Sequence, residues 1–407
     1  NAAQTWRCVH GHHTKQGGRM SRNNGYVMDI EYIPNFCALQ SPVHLSFACI
    51  LNGVEPVPLD KPFTYFELGF GQGLGMNVFA ASNPHGRFFG SDFNPAQVAT
   101  AREFAAEARL DNLTLLENSF AELAQGEVDL PQFDFITMHG VYTWVNAENR
   151  QHIVNFIRRY LKPGGIVYSG YNAMPGWTSE LPLKRFLLEH GEMYRGSSIA
   201  QFTQARDFAD ALARSGAAYF KTDPEMQANL DRCKKKDPRY LVHEYMGYGW
   251  EPLYFADVAR AFAAAKLDFT GSAVLTFAFP QYCLTPEQRA LLDTVPDPVW
   301  RETAQDYVLN TSFRNDIFVR GARRMPPARQ RQWLEKAGIA LKVVREHMDL
   351  KQIRPKSAHP TVPEESYIAV VDALAERPRT LAELAALPAL QNDDLAVAEI
   401  AAFLIEW

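Results

Sequence analysis

The sequence predicts an α/β protein: a doubly wound, mostly parallel sheet of seven strands, with a helical insertion and a C-terminal winged-helix-like module. Three observations predict this fold class. Short apolar segments alternate with helical segments over residues 63–172, a glycine-rich turn follows the first apolar segment, and the alternation resumes at residue 253. Strands separated by helices favour a parallel sheet, because parallel neighbours need a long crossover connection.

Five of the seven strands come from the first stretch of alternation. They are predicted over residues 63–68, 87–91, 113–117, 133–138 and 166–171. Helices are predicted to connect them, with one ending at Ala81, one over 96–108 and one ending at Tyr160. Pro95 suits the first turn of the helix that follows it, and Pro163-Gly164-Gly165 turns the chain into the fifth strand.

The rest of the chain interrupts this pattern and then completes it. Residues 173–252 predict helices around 183–194 and 202–216, and Phe255, Val258 and Phe262 mark one face of another helix. Alternation over 269–277 predicts the sixth strand, and 316–320 predicts the seventh. Three short helices are expected after a basic linker, one of them beginning at a capping box formed by Thr380 and Glu383.

These patterns divide the chain into six segments. Residues 1–24 are predicted to be a non-native or disordered tail, because they carry no apolar run and differ in composition from the remainder of the chain. The other expected segments are an N-terminal helical lid (25–62), the core (63–172), a helical insertion that forms a regulatory or substrate region (173–252), the completion of the core sheet (253–324), and the linker with its winged-helix-like module (325–407).

Composition and charge exclude several classes of protein. The 407 residues carry a formal net charge of −5, which excludes a globally basic nucleic-acid binder. Residues 361–407 carry two arginines and nine acidic residues, a net charge of −7, so no DNA partner is expected for the C-terminal module. No apolar run approaches the roughly 20 residues that a membrane helix needs, so no membrane insertion is expected.

The cysteines and histidines do not predict a metal site. The five cysteines have no C-x-x-C spacing, which argues against a zinc ribbon and suits a reducing, cytoplasmic environment. His10, His12 and His13 cluster near the start, but no carboxylate or cysteine completes a ligand set there. The expectation is therefore a cytoplasmic protein without a bound metal.

The glycine-rich turn, Glu67-Leu68-Gly69-Phe70-Gly71-Gln72-Gly73, follows the first predicted strand. A dinucleotide site requires G-x-G-x-x-G or A, and the sixth position holds Leu74, Met76 or Val78 in the three possible registers. The Gly-Lys-Ser/Thr of a P-loop is also absent from this turn. The pattern that remains is Glu-x-Gly-x-Gly-x-Gly.

This pattern resembles motif I of the class I S-adenosylmethionine-dependent methyltransferases, which have a Rossmann-like sheet. Four further motifs follow in the family's order: Asp92, Asn118-Ser119-Phe120, His139-Gly140 and Leu161-Lys162-Pro163-Gly164-Gly165. Gly25-Tyr26, Tyr32, Trp144-Val145 and the run from Tyr171 to Trp177 look like bacterial methyltransferases with a methyltransferase regulatory domain. The chain is more distantly similar to lysine methyltransferases that act on bacterial outer-membrane proteins, which usually carry Cys where this chain has Phe70.

The resemblance implies S-adenosylmethionine as the cofactor and names the residues that hold it. The glycine turn would pass under the amino acid and ribose parts, Asp92 would accept the ribose hydroxyls, Asn118 would meet the adenine, and His139-Gly140 would lie near the methionine part. The full set is Tyr26, Glu67, Gly69, Gly71, Gly73, Asp92, Phe93, Asn118, Ser119, Phe120, His139 and Gly140.

Methyl transfer requires a nucleophile held about 3–3.5 Å from the methyl carbon. A lysine nucleophile must also lose its proton, which costs about 4–5 kcal/mol at pH 7 and favours an aromatic-lined channel. The candidate lining residues, all of which could instead serve ordinary packing, are Tyr26, Tyr32, Tyr142, Trp144, Tyr171 and Trp177. The catalytic candidates are His139, Tyr142, Tyr171 and Asn172, with cofactor contact open for His139 and strand capping open for Asn172.

The predicted function is therefore methyl transfer to a protein side chain, with lysine favoured by the resemblance alone. The alternatives are a methyltransferase acting on a small molecule or cell-envelope component, and a non-catalytic S-adenosylmethionine-binding module for a partner protein. The expected partners are accordingly a protein or small-molecule methyl acceptor, and the C-terminal module suggests a homodimer.

Overall fold

A seven-stranded sheet forms the centre of the computed structural model, which describes residues 35–222, 224–348, 363–390 and 394–406. The strands are β1 (Thr64–Leu68), β2 (Arg87–Ser91), β3 (Leu113–Leu116), β4 (Phe133–His139), β5 (Leu161–Asn172), β6 (Leu267–Ser272) and β7 (Phe313–Arg320). Their order across the sheet is β3-β2-β1-β4-β5-β7-β6. The first five are parallel to one another, whereas β7 is antiparallel to both β5 and β6. The prediction of a mostly parallel, doubly wound sheet is confirmed.

The order of the strands determines where a ligand can bind. Strand β1 lies between β2 and β4, so the connections from β1 and from β4 leave on opposite sides of the sheet. A crevice forms at such a switch point, outside the carboxyl ends of the parallel strands. The predicted motif residues lie at that edge, because Glu67 is near the end of β1 and His139 ends β4.

Helices cover both faces of the sheet. The bounds of those in the first half are α1 (Pro42–Leu51), α2 (Leu74–Ser82), α3 (Pro95–Glu107), α4 (Phe120–Gln125) and α5 (Ala147–Tyr160). Successive strand residues point to opposite faces, so Tyr65 and Phe135 enter one apolar cluster whereas Phe66 and Ile136 enter the other. Continuous burial on both faces explains why these strands are apolar runs without alternation.

The insertion after β5 is helical, as the sequence predicts. It consists of α6 (Leu181–Gly191), α7 (Ser198–Arg214), α8 (Ala218–Thr222), α9 (Pro224–Lys235) and α10 (Pro238–Tyr245). These helices have an apolar cluster of their own, which includes Leu187, Phe202 and Val242. A separate cluster makes the insertion a distinct layer beside the carboxyl edge of the sheet.

The predicted sixth strand over 269–277 is too long. Strand β6 ends at Ser272, and residues 275–278 form a short 3-10 helix instead. The strand bulges between Phe269 and Gly271, where the side chain of Asn52 occupies the space that a Cβ on Gly271 would need. The alternation of apolar residues continues beyond the end of β6 because Ala273 and Leu275 are buried in the same apolar cluster as α1.

The remaining helices complete the sheet and cover its far end. They are α11 (Phe255–Ala263), α12 (Pro286–Asp293), α13 (Pro298–Leu309), α14 (Pro327–Lys336), α15 (Glu364–Glu376), α16 (Leu381–Ala385) and α17 (Asp394–Glu406). The predicted capping box of Thr380 and Glu383 begins α16. A two-stranded pair, β8 (Gly338–Ile339) with β9 (Arg379–Thr380), joins these helices, but the predicted winged-helix-like form is not confirmed. Among the described helices, none has both the length and the apolar character needed to cross a bilayer.

Candidate active site

A cavity of about 530 Å³ lies at the carboxyl ends of the parallel strands. One end is formed by the turns that follow β1 to β4, and the other by β5, the helical insertion and the start of β7. The residues that line it include Glu67, Gly69, Gly71, Gly73, Asp92, Phe93, Asn118, Ser119, Phe120, His139, Gly140, Trp144, Asn172, Trp177, Tyr240, His243, Glu244, Ser312 and Phe313. We call the two ends the turn end and the aromatic end.

The glycine-rich turn between β1 and α2 forms the floor of the turn end. Gly69, Gly71 and Gly73 have φ of 71°, 59° and 74°, a region that disfavours residues with a Cβ. At Gly73 a Cβ would also lie 2.4 Å from the Cβ of Ala101 on α3, so both the backbone conformation and the packing exclude a side chain there. The turn therefore exposes backbone to the cavity and lets α2 begin immediately after it.

Asp92 follows β2 and is tied to the glycine turn. Its Oδ2 accepts the backbone N–H of Gly71 at 2.9 Å, and its Oδ1 accepts the backbone N–H of Asn94 at 3.0 Å. The Gln97 amide, with its nitrogen facing the carboxylate, donates to the two oxygens at 3.0 and 3.1 Å. Burial nevertheless raises the pKa of Asp92 to about 6.

Glu67 is the more deeply buried carboxylate of the turn end. Its Oε1 accepts a hydrogen bond of 3.3 Å from Nε2 of Gln40, and its Oε2 has no partner within the described part of the chain. Burial raises the pKa of Glu67 to about 8, and the nearby Asp92 contributes to the same upward shift. An incompletely paired buried carboxylate of this kind favours a ligand that brings hydrogen-bond donors or positive charge.

The segment after β3 contributes Asn118, Ser119 and Phe120 to the cavity wall. Oγ of Ser91, the last residue of β2, donates to the carbonyl of Asn118 at 2.6 Å and fixes the segment against the sheet. Ser119 then caps α4 in a reciprocal capping box with Glu122. The cap directs the chain away from the sheet and leaves this polar edge facing the cavity.

His139, the last residue of β4, is held in its neutral form. Its Nδ1 lies 2.8 Å from the hydroxyl of Tyr168, and that hydroxyl donates to Oδ1 of Asn315 at 2.8 Å. Because the hydroxyl has only one proton to donate, Nδ1 is the protonated ring nitrogen. Burial lowers the pKa of His139 to about 4, so the ring is a weak base near neutral pH. This environment favours ligand contact over the general-base role.

The aromatic end is built from residues that are far apart in sequence. Trp144 and Trp177 belong to one buried aromatic cluster, and the ring of His243 stacks on Trp144 at 6.4 Å. The indole N–H of Trp177 donates to the carbonyl of Ser312 at 2.9 Å, which ties the segment leading into the insertion to the start of β7. Glu244 completes this end of the cavity, accepting a hydrogen bond of 3.0 Å from Nδ2 of Asn172.

Two of the catalytic candidates lie away from the cavity. Tyr171 is fully buried, and its hydroxyl donates to Asp316 at 2.6 Å, in an ion-pair network centred on Arg314. Tyr142 is buried with its ring against Phe262 at 5.1 Å, within the apolar cluster of one sheet face. The structure therefore does not bring either side chain to the channel for which the sequence proposed it, because both point into the packed layers. Tyr26 and Tyr32 lie outside the described residues.

Sequence reasoning missed most of the aromatic end. His243-Glu244 could begin the metal-binding motif H-E-x-x-H, but position 247 is Gly, so the motif is incomplete. Tyr240, Ser312 and Phe313 belong to no motif at all. Within the described ranges no group of three or more His, Cys, Asp or Glu residues is arranged to hold a metal ion. The available signal was the carboxylate of Glu244 within the aromatic-rich segment 240–255, since a carboxylate there requires either exposure or a partner.

Two family models match parts of the chain. A model described as "Methyltransferase domain" matches residues 66–167, and one described as "Predicted methyltransferase regulatory domain" matches residues 237–320. The second match begins within the predicted insertion and extends through α11–α13 and β7. The matched range overlaps both the predicted helical insertion (173–252) and the predicted completion of the core sheet (253–324).

The chain is also similar to whole proteins. An uncharacterized protein of Synechocystis is 37% identical over 365 residues, which cover 90% of this chain and 72% of that protein. Among solved structures, PKMT2 from Rickettsia typhi matches with a TM-score of 0.65 and 21% identity, covering 87% of this chain and 70% of that chain. The complex of PKMT2 with AdoHcy matches with a TM-score of 0.66 and 21% identity, covering 89% and 72%. At this identity the two structures establish a common fold.

Proposed function

The chain belongs to the class I S-adenosylmethionine-dependent methyltransferases that carry a methyltransferase regulatory domain, and we propose that its methyl acceptor is a protein side chain, with lysine as the acceptor residue. The observation that carries this proposal is the continuity of the cavity. The turn end suits the cofactor, and the aromatic end that opens from it suits a long side chain with a cationic tip.

The turn end fits S-adenosylmethionine, the cofactor of this family. Glu67 offers a buried carboxylate oxygen without a partner among the described residues, and three glycines of positive φ leave their backbone open to a ligand. In the proposed arrangement the turn passes under the amino acid and ribose parts, and Asp92 accepts the ribose hydroxyls. The other proposed contacts are Phe93, Asn118, Ser119 and Phe120 for the adenine, and Glu67, His139 and Gly140 for the methionine part.

When bound, S-adenosylmethionine supplies a methyl group on a positively charged sulfur that a nucleophile can displace in line. The residues of this chain have to orient the nucleophile, exclude water and remove a proton. Asn172 and Glu244 are placed to orient a polar group at the aromatic end, and Trp144 and Trp177 exclude water around it. His139 contributes contact with the ligand in this proposal, because its ring is neutral and weakly basic.

Lysine is the side chain that best matches the aromatic end. Its deprotonation at pH 7 costs about 4–5 kcal/mol in water, and an environment of low polarity lowers that cost. The indole faces of Trp144 and Trp177 favour an approaching cation, and the cavity walls around them are largely removed from solvent.

The proposal is tested by following the methyl group. Purified protein is incubated with methyl-labelled S-adenosylmethionine and a bacterial lysate that has been fractionated into protein, lipid and small molecules. We expect the label in the protein fraction, and methyllysine after acid hydrolysis of the labelled protein. The Asp92→Ala variant serves as the inactive control, because it lacks the proposed ribose contact but keeps the aromatic end.

Label in the lipid or small-molecule fraction would overturn the proposal and leave a methyltransferase for a cell-envelope component or a small molecule. If the label were found on a protein residue other than lysine, the acceptor would still be a protein, but the proposed acceptor residue would be wrong. Because the assay measures turnover directly, it separates these outcomes without knowledge of the acceptor's sequence.

A further inference from the structure

Glu244 lies at a wall shared by two cavities. Together with Trp177 and Tyr240, it lines both the 530 Å³ cavity and a second cavity of about 170 Å³. The second cavity is also lined by the charged side chains of Glu180, Arg232 and Lys236. A carboxylate in this position adjoins the aromatic end on one side and a polar compartment on the other.

The Glu244 carboxylate is buried and held in one orientation. It belongs to α10, and only 6% of the residue is exposed. Nδ2 of Asn172 donates to Oε1 at 3.0 Å, and the backbone N–H of Asn172 is itself fixed on Oγ1 of Thr143 at 3.2 Å. A buried carboxylate that lines the same cavity as Trp144 and Trp177 provides what a primary ammonium group needs: negative charge, a hydrogen-bond acceptor and aromatic walls.

We propose that Glu244 binds the acceptor as a primary ammonium group and accepts the proton that its nitrogen must lose, and that the smaller cavity returns this proton to solvent. The proposal rests on the proposed function, which makes the acceptor an amine. An N–H bond of the ammonium breaks and leaves its electron pair on nitrogen, while an O–H bond forms on Glu244. The amine becomes a neutral nucleophile, and Glu244 becomes a carboxylate again when its proton passes to solvent.

The charges around Glu244 support this role. Burial raises the pKa of Glu244 to about 7, a value that suits a general base near neutral pH. Lys184 on α6 and Lys236 after α9 lower this pKa, as does the hydrogen bond from Asn172, whereas Glu180 before α6 raises it. The titratable neighbours on α10 itself are Tyr240 and His243, and burial raises the pKa of Tyr240 to about 12.

Binding of a small amine tests the proposal without turnover. Butylammonium is titrated by calorimetry into the protein loaded with S-adenosylhomocysteine, at pH 7 in two buffers of different ionisation enthalpy. Because a bound cation favours the ionised carboxylate, binding should release about half a proton per butylammonium in the wild type. In Glu244→Gln we expect no proton release and an affinity at least about tenfold lower, whereas 1-butanol should bind both proteins equally.

The Glu244→Gln variant removes the negative charge and leaves the shape of the side chain nearly unchanged. Its amide oxygen can still accept the hydrogen bond from Asn172, so the charge changes while the local geometry is kept. Glu189→Gln is the control, because Glu189 is an exposed residue on α6 that pairs with Arg185. If Glu244→Gln does not fold, as judged by thermal unfolding, Glu244→Asp keeps the charge, and its proton release should persist.

The pH dependence of methylation provides a second measurement. In the labelled-lysate assay, Glu244→Gln should transfer about 100-fold less methyl to protein at pH 7, the scale expected for loss of a general base. The deficit should shrink to less than about tenfold near pH 9.5, where more of the free lysine is neutral. Wild-type transfer should rise with pH up to about 7, as Glu244 ionises.

Unchanged butylammonium affinity and unchanged proton release in Glu244→Gln would overturn this proposal even if the protein methylates lysine. Conversely, a wild type that labels only small-molecule amines would overturn the proposed function, while the butylammonium result would still decide the role of Glu244. The failures of the two proposals are therefore distinguishable.

Discussion

The two ends of the cavity differ in how the chain builds them. The turn end comes from residues 67–140, and each contribution follows one parallel strand in sequence order. The aromatic end combines Trp144 after β4, Asn172 at the end of β5, α10 of the insertion and Ser312 before β7. One end is local in sequence and the other is assembled only by the tertiary fold. In the proposed function, cofactor binding is thus a property of the sheet, whereas acceptor choice depends on the elements added to it.

The two ends share an electrostatic feature. Each holds a buried carboxylate whose pKa is raised by burial, Glu67 at about 8 and Glu244 at about 7. Burying a group that must ionise opposes folding, so neither carboxylate is explained by stability. In both places we infer that the carboxylate is retained because it binds a ligand that carries positive charge or hydrogen-bond donors.

The largest effect is expected at the turn end, from Asp92→Ala. The variant removes the acceptor of two proposed hydrogen bonds to the ribose, each worth about 1.5–3 kcal/mol because the acceptor is charged. We expect the affinity for S-adenosylmethionine to fall by at least about 100-fold in calorimetric titration. Asp111→Ala, at an exposed site between α3 and β3, is the control and should bind like the wild type. Undiminished binding by Asp92→Ala would show that the cofactor lies elsewhere.

The difference between the two ends also explains how far sequence reasoning reached. The five parallel strands could be predicted because each is a short apolar run ended by glycine, proline or polar residues. The turn-end candidates from Glu67 to Gly140 all line the cavity, because a strand followed by a turn places its last residues at one edge of the sheet. At this end, local sequence and tertiary position coincide.

At the aromatic end they do not coincide. Tyr171 and Asn172 are neighbours at the end of β5, yet only Asn172 faces the cavity, since alternate strand residues point to opposite faces. Which face holds the cavity depends on where the insertion packs, and local patterns do not encode that. Glu244 was missed for the same reason, because its role depends on Asn172, which lies 72 residues earlier.

A smaller effect is expected from Glu67→Gln, which should raise the stability of the folded chain near pH 8.5 and weaken ligand binding. The pKa of Glu67 is raised in the folded chain, so the folded state binds a proton more tightly than the unfolded state. Stability is therefore lost as the pH rises from the ordinary value of about 4.5 towards 8, by on the order of a few kcal/mol. Glu67→Gln cannot ionise, and without ligand it should be more stable than the wild type near pH 8.5 but similar near pH 5.

Urea unfolding at the two pH values measures this difference, and Glu117→Gln, an exposed substitution near β3, is the control. The same Glu67→Gln variant should bind S-adenosylmethionine more weakly than the wild type. Equal pH dependence in Glu67→Gln and the wild type would contradict the view that the buried carboxylate opposes folding.

The smallest effect is expected for Trp144→Leu at the aromatic end, and Tyr171→Phe, which lies outside the cavity, is its matched comparison. Leucine keeps an apolar side chain but removes the aromatic face, so the KM for the protein acceptor should rise about fivefold, equivalent to about 1 kcal/mol. Tyr171→Phe should leave this KM unchanged and instead lower the free energy of unfolding by about 1–2 kcal/mol, because Asp316 loses a buried hydrogen bond. Steady-state kinetics and urea unfolding of both variants measure the contrast. A raised KM in Tyr171→Phe with no change in Trp144→Leu would mean that the acceptor approaches through the strand layer, and the aromatic end would then have to be reassigned.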